Sequence, residues 1–286
     1  MSPQVSRVSY VIILSMKNFY QILLLLAVLL SSCSQYNKII KPTTDIEYRY
    51  EAAKEYYIQG EYAKAAPILE GLIRLFKGSH KAEESLFLLG LCYYESRDYY
   101  TAAQYFKMYY TSYPRGNYAE LARFYSGKSL FKNIAEPELD QTDTYTAIQE
   151  LQLFIEYFPA SVHRNEAQQM IMDMHDVIVE KEMLSAKLYY ELGDYMAYMG
   201  NNYLACIITA QNVLNDYPYT KFREELSMLV LRAKYKMALH SVEDKKIDRY
   251  RDAVDEYYSF KNEFPSSKYV PEAESYYKEA LKVISE

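Results

Sequence analysis

Tryptophan is absent from the 286 residues, and glycine and proline are scarce, at 8 and 9. A chain so poor in breakers and 50% hydrophobic is not a low-complexity disordered segment, and it has the apolar side chains for a large core. The lack of tryptophan removes the flat platforms that sugar sites favour. Only three cysteines occur, Cys33, Cys92 and Cys206, with no CxxC spacing, which excludes a disulfide framework and a zinc-ribbon site. Lys and Arg are scattered, never blocked, and beyond residue 32 the balance is 30 basic against 38 acidic residues, so nucleic acid is not an expected partner. There is no HExxH, GxSxG, P-loop or GxGxxG, and no sustained heptad pattern. No catalytic residue, metal site or cofactor is therefore expected. Tyrosine, by contrast, is abundant at 34 residues.

The amino terminus carries the first positive signal. Residues 17–33 read KNFYQILLLLAVLLSSC. A basic residue precedes an apolar run from Ile22 to Leu30 that ends in small residues, which is the layout of a secretory signal. The run is shorter than the roughly 20 apolar residues that a spanning helix needs. Leu30-Ser31-Ser32-Cys33 resembles a bacterial lipobox, and the resemblance implies cleavage before Cys33 and a diacylglycerol on its sulfur. Two or more acyl chains anchor a protein stably, so such a cysteine holds a body at a membrane without a spanning helix. Ser34, and not Asp, follows the cysteine, and the resemblance to sorted lipoproteins implies transfer to the outer membrane over retention in the inner one. Met16-Lys17 begins a compact lipoprotein signal by itself, and Met16 is the expected start. The expected organisation is a signal peptide over 1–32, a lipidated tether over 33–45 and a repeat domain over 46–286.

That domain reads as all-α, a tetratricopeptide-like superhelix of helix pairs with about five repeats and a C-terminal capping helix. Tyr113-Pro114, Phe158-Pro159, Tyr217-Pro218 and Phe264-Pro265 each close an amphipathic run, and each is soon followed by another. Proline ends a helix cleanly because it lacks the N–H and clashes with the preceding turn. Phe76 is a fifth equivalent without the proline. Residues 83–116 match the 34-residue tetratricopeptide frame, with Leu86, Leu89, Gly90 and Tyr93 on a first helix and Tyr99, Ala102, Phe106 and Pro114 on and after a second. Gly90 and Ala102 are small where the helices cross closely. The first unit keeps the frame in Ala53, Tyr56, Gly60, Tyr62, Ala65 and Leu69. The third starts near Ala119, has an acidic insertion over 133–143 expected as an exposed loop, and resumes as a helix from about Tyr145 to Phe158. One unbroken helix is expected from about His163 to Met199, and a charged loop around Glu243–Lys246. A helix over 271–285 caps the stack, as terminal elements of solenoids must.

Stacked helix pairs offer a concave surface to extended peptides or partner helices. Many tyrosines fill the repeat frame, among them Tyr56, Tyr62, Tyr93, Tyr99, Tyr203 and Tyr250. Tyr57, Tyr94, Tyr100 and Tyr109 lie beside it. Tyr57 and Tyr94 are the candidate residues of a peptide groove, since tyrosine joins an apolar body to a polar tip. Cys92 and Cys206 lie in apolar helical runs and read as core. His80, His163, His175 and His240 match no ligand spacing, and Glu83-Glu84 and Glu224-Glu225 read as helix-start carboxylates that meet the dipole.

The lipobox, the tether, the aromatic-Pro repeat ends and the closing helix together resemble the BamD family of outer-membrane β-barrel assembly lipoproteins, over Cys33 to Glu286. The resemblance implies a non-catalytic, periplasm-facing scaffold, anchored by lipid in the outer membrane. Its implied partners are unfolded outer-membrane β-barrel proteins at the first units and a BamA-like barrel assembly subunit at the later ones. Another repeat lipoprotein coordinating the cell envelope, or a glycan-capturing outer-membrane lipoprotein, is the alternative.

Overall fold

The computed structural model describes residues 38–39, 41, 45–76, 78–195 and 201–285. Among these residues the chain forms eleven long α-helices and no strand. They fall into two compact units, one up to Ser129 and one from Leu130 onward.

The first unit contains α1 (Ile46–Ile58), α2 (Tyr62–Leu75), α3 (His80–Glu95), α4 (Tyr99–Ser112) and most of α5 (Ala119–Lys132). Short polar side chains start α1, α3 and α4 by accepting orphan N–H groups: Asp45 from Glu47, Ser79 from Ala82 and Asp98 from Thr101. Within each pair the chain reverses through a left-handed residue, Gly60 at φ +77° and Arg97 at φ +63°. The two turns share their hydrogen bonds. Gly60 N–H donates to the Tyr57 carbonyl and Glu61 N–H to Tyr56, while Arg97 N–H donates to Tyr94 and Asp98 N–H to Tyr93. Glycine takes this backbone freely, whereas arginine bears a steric cost.

Packing follows the frame. Tyr50, Ala53, Ala65, Ile68, Leu69 and Leu72 form one core with Leu89 and Cys92 of α3. Ile39, expected in the tether, is 4% exposed and belongs to that core. Leu86, Phe87, Ala102, Phe106, Tyr109, Ala119 and Ala122 form the next. A Cβ at Gly90 would stand 2.7 Å from the ring of Phe106, itself fully buried, so the close crossing admits no side chain there.

The second unit contains α6 (Thr142–Tyr157), α7 (Arg164–Leu192), α8 (Asn202–Asp216), α9 (Arg223–Leu239), α10 (Glu243–Glu263) and α11 (Val270–Ser285). Three expectations are corrected here. The long helix stops at Leu192, not Met199, because Gly193 turns left-handed at φ +49°; a Cβ there would also meet the Tyr203 hydroxyl at 2.6 Å. Residues 196–199 of the expected helix lie outside the described residues. The charged stretch at Glu243 is no loop but the first turn of α10, where Glu243 and Asp244 suit the positive end of the helix dipole. The acidic insertion is a mostly exposed loop, as expected, apart from Gln141, but α6 starts at Thr142, inside the expected insertion and before Tyr145. Gln141 is buried, donates to the carbonyls of Glu136 and Leu139, and accepts from the Thr144 hydroxyl at 2.7 Å. Lys181 of α7 donates to the Leu139 carbonyl at 2.7 Å.

The aromatic-Pro junctions are close copies. Tyr113, Phe158, Tyr217 and Phe264 have φ of −129°, −128°, −126° and −125° and ψ of 63°, 63°, 66° and 62°. Each donates its N–H to the carbonyl four residues back and accepts at its own carbonyl from the residue three ahead. Phe76, with no proline after it, stays near the helical region at φ −90°, ψ 12°. The difference follows from the clash of the proline ring with a preceding residue in helical conformation.

α11 closes the second unit. Ala273 and Ala280 face the core while Ser275, Lys278 and Lys282 face solvent. Glu272 on α11 receives two bonds from Arg232 of α9, at 2.7 and 2.6 Å, and one from Tyr276 at 2.9 Å. These hold the Glu272 carboxyl below its usual pKa, the arginine bond chief among them.

Candidate functional site

Tyr57 and Tyr94 occupy equivalent places in successive pairs, each three residues before the left-handed turn residue. Both are half-buried. The Tyr57 ring lies 5.5 Å from that of Tyr62. Tyr94 meets Tyr99 edge-on at 5.5 Å and Tyr125 of α5 edge-on at 5.2 Å. Burial pushes the Tyr57 hydroxyl up to about 12, and the fields of Glu95 and Tyr125 add to the shift. The Tyr94 hydroxyl is also raised by burial, against the opposing positive charge of Lys128. First helices of consecutive pairs bring Tyr94, Tyr125 and Lys128 to one patch, and Tyr57 takes the equivalent place one pair earlier, within reach of the field of Tyr125. The Lys128 ammonium stands 5.3 Å from the ring centre of Phe124 and 5.7 Å from that of Tyr125. Such a patch offers aromatic area, neutral hydroxyl donors and a cation beside them, which is chemistry for an extended, partly apolar peptide.

The other tyrosines set beside the frame divide. Tyr100 is 58% exposed. Tyr109 is fully buried and is a core residue, not a contact residue. Its hydroxyl donates to Glu83 and accepts from Tyr118 N–H at 3.0 Å. Glu83 also accepts from Asn117 N–H at 2.7 Å, so it fastens the following junction. Asp176 and Glu224 do the same elsewhere, accepting the hydroxyls of Thr220 at 2.8 Å and Ser267 at 2.5 Å. The dipole reading of Glu83 and Glu224 missed this role. Tyr125 and Lys128 were also missed, though their places just beside Gly127 were visible.

The remaining candidates are dispersed. His80 contacts Asn117 at 3.1 Å, His163 lies 3.7 Å from Glu166, His175 packs on Tyr217 with its pKa lowered by burial, and His240 pairs with Asp194. Among the described residues no group of three or more His, Cys, Asp or Glu is placed to hold a metal. Cys92 and Cys206 are buried, and burial pushes each thiol up to about 12. No described helix is long and apolar enough to cross a membrane. The lipid-site candidate Cys33 lies outside the described residues.

Helix pairs of this kind, joined through aromatic-Pro junctions and lined with tyrosine, define a tetratricopeptide-like repeat protein. More particularly, the model of the YfiO family, described as outer membrane lipoprotein, matches residues 43–249, and the chain belongs to that family. It is similar to the outer membrane protein assembly factor BamD of Neisseria meningitidis serogroup B, 25% identical over 260 residues that cover 86% of this chain and 91% of that one. It is also similar to the protein of the same name from Neisseria gonorrhoeae, 24% identical over 238 residues that cover 80% and 82%.

Proposed function

We propose that this protein is a non-catalytic scaffold of outer-membrane β-barrel assembly, held by lipid on Cys33 at the outer membrane and facing the periplasm. The signal peptide lies within residues 1–32 and runs from a true start at Met16, residues 33–45 serve as the lipidated leader, and residues 46–286 as the repeat body. The patch of Tyr94, Tyr125 and Lys128, with Tyr57 one pair earlier, takes unfolded barrel segments, and later helix pairs take the barrel-forming, BamA-like subunit. The observation that carries this reading is the gathering of those side chains on the first helices of consecutive pairs, in a chain whose family is described as outer membrane lipoprotein. Alternating strands of a barrel protein have apolar and polar side chains in turn, which suits rings flanked by hydroxyls and a cation.

The test is a pull-down of the mature protein from native outer membranes after mild cross-linking. Recovery of a barrel protein with periplasmic repeat domains is the expected result. Recovery of peptidoglycan or glycan instead would favour an envelope coordinator or a glycan-capturing lipoprotein.

A further inference from the structure

Ile39 stands only six residues after Cys33 and is 4% exposed in the core of the first helix pair, among Tyr50, Ala53, Ala65 and Leu69. There it borders a cavity of about 370 Å³ that is also lined by Tyr48, Glu51, Glu55, Tyr56 and Lys64. A leader that threads an isoleucine into the core is fixed at that point, whatever the chain does on either side of it. Burial of the isoleucine side chain removes apolar surface from water, which favours the closed contact.

We propose that Ile39 is a pin that shortens the leash, so that the lipid on Cys33 holds the α1–α2 end of the first unit close against the bilayer surface. The inference rests on lipidation of Cys33, as proposed above. Six residues span at most about 20 Å when fully extended. Were the leash free up to Asp45, twelve residues would reach about 40 Å. The outer side of α1 carries Glu51 and Glu55 beside Tyr48 and Ile58, which are 51% and 80% exposed. Those carboxylates disfavour insertion among anionic headgroups, so this end stands at the lipid surface without entering it. The partner is the lipid surface itself, and the consequence is orientation: the tyrosine patch starts, at Tyr57 of α1, from the membrane side.

The test uses the full lipidated protein in vesicles of phosphatidylethanolamine and phosphatidylglycerol. A fluorophore on Gln59→Cys, at the exposed end of α1, transfers energy to a headgroup-labelled acceptor. The native thiols Cys92 and Cys206 are buried and stay unlabelled. A 15-residue Gly/Ser insertion between Ser34 and Gln35 lengthens the leash ahead of the pin. Transfer should fall about twofold or more as fifteen flexible residues are added to the leash. The same insertion between Lys41 and Pro42 lies behind the pin and should leave transfer unchanged. Adding Ile39→Asp to that second insertion should release the pin and reproduce the loss. Equal loss from both insertions, with Ile39 intact, would overturn the pin while leaving the anchor standing. Failure of the unmodified protein to float with vesicles would overturn the anchor, and the pin's role with it.

Discussion

In the first unit the helix pairs are wedged by rings against small residues, whereas the middle of the second unit is filled by aliphatic side chains. Phe87 and Tyr118 stack at 4.7 Å, Tyr93 and Tyr105 stack at 5.2 Å with both hydroxyls on Glu70, and Phe106 fills the space left by Gly90. Val179, Met183, Cys206, Ile207, Val213, Leu229 and Val230 do the equivalent work around α7, α8 and α9. Rings return at the carboxyl end, where Tyr235 stacks on Tyr276 at 4.4 Å and Tyr257 on Tyr277 at 4.5 Å. A flat rigid ring fits one hole, so its place is fixed in sequence as well as in space. Flexible aliphatic chains fill many holes, and the frame can drift without loss of packing.

The largest effect should come from removing a wedge. Phe106→Ala should cost about 3–5 kcal/mol in urea unfolding, since its surroundings cannot close over the cavity. Met183→Leu, which conserves volume in the aliphatic core, should cost less than about 1.5 kcal/mol. Equal costs would erase the contrast between the two units.

Acid should single out the carboxyl end of the second unit. Because Arg232 holds the folded-state carboxyl of Glu272 below its usual range, that pair stabilises fully above about pH 4.3 and is lost as pH falls through the lowered value. Hydrogen exchange at pH 3 should therefore speed in α11 before it speeds in α3 and α4. Arg232→Met should shrink the difference in α11 protection between pH 3 and pH 6. Uniform loss of protection at pH 3 would sink the assignment.

The smallest effect sharpens the view of the first unit as a strict repeat. Arg97 holds the left-handed place that Gly60 holds one pair earlier. Arg97→Gly should stabilise the protein by about 1 kcal/mol, the steric cost of the left-handed residue less some gain in unfolded-chain freedom. A lower melting temperature would show that the arginine side chain is worth more than the strain.

The same contrast explains what was legible in the sequence. The helix-pair architecture was, because proline after an aromatic dictates one backbone geometry and repeats it four times. Gly90 and Ala102 were, because a close crossing demands small residues. The end of α7 was not. The apolar pattern runs on past Leu192, and the reason for Gly193 sits across the turn in Tyr203. Gln141 was hidden among acidic neighbours because its amide N–H groups go to backbone carbonyls that no side-chain pattern reveals. Within the tyrosine patch, Tyr57 and Tyr94 were visible by position. Tyr125 and Lys128 needed the third first-helix in place, since their nearness to Tyr94 comes from stacking alone.

The most direct test is titration of the lipidated protein with a urea-unfolded, fluorescently labelled outer-membrane β-barrel protein diluted into buffer. Tyr57→Leu and Tyr94→Leu together keep apolar bulk and remove both rings and hydroxyls. The dissociation constant should rise about tenfold to thirtyfold, from roughly 1 kcal/mol lost at each site, with helical circular dichroism retained. An unchanged constant in a well-folded double variant would contradict the account.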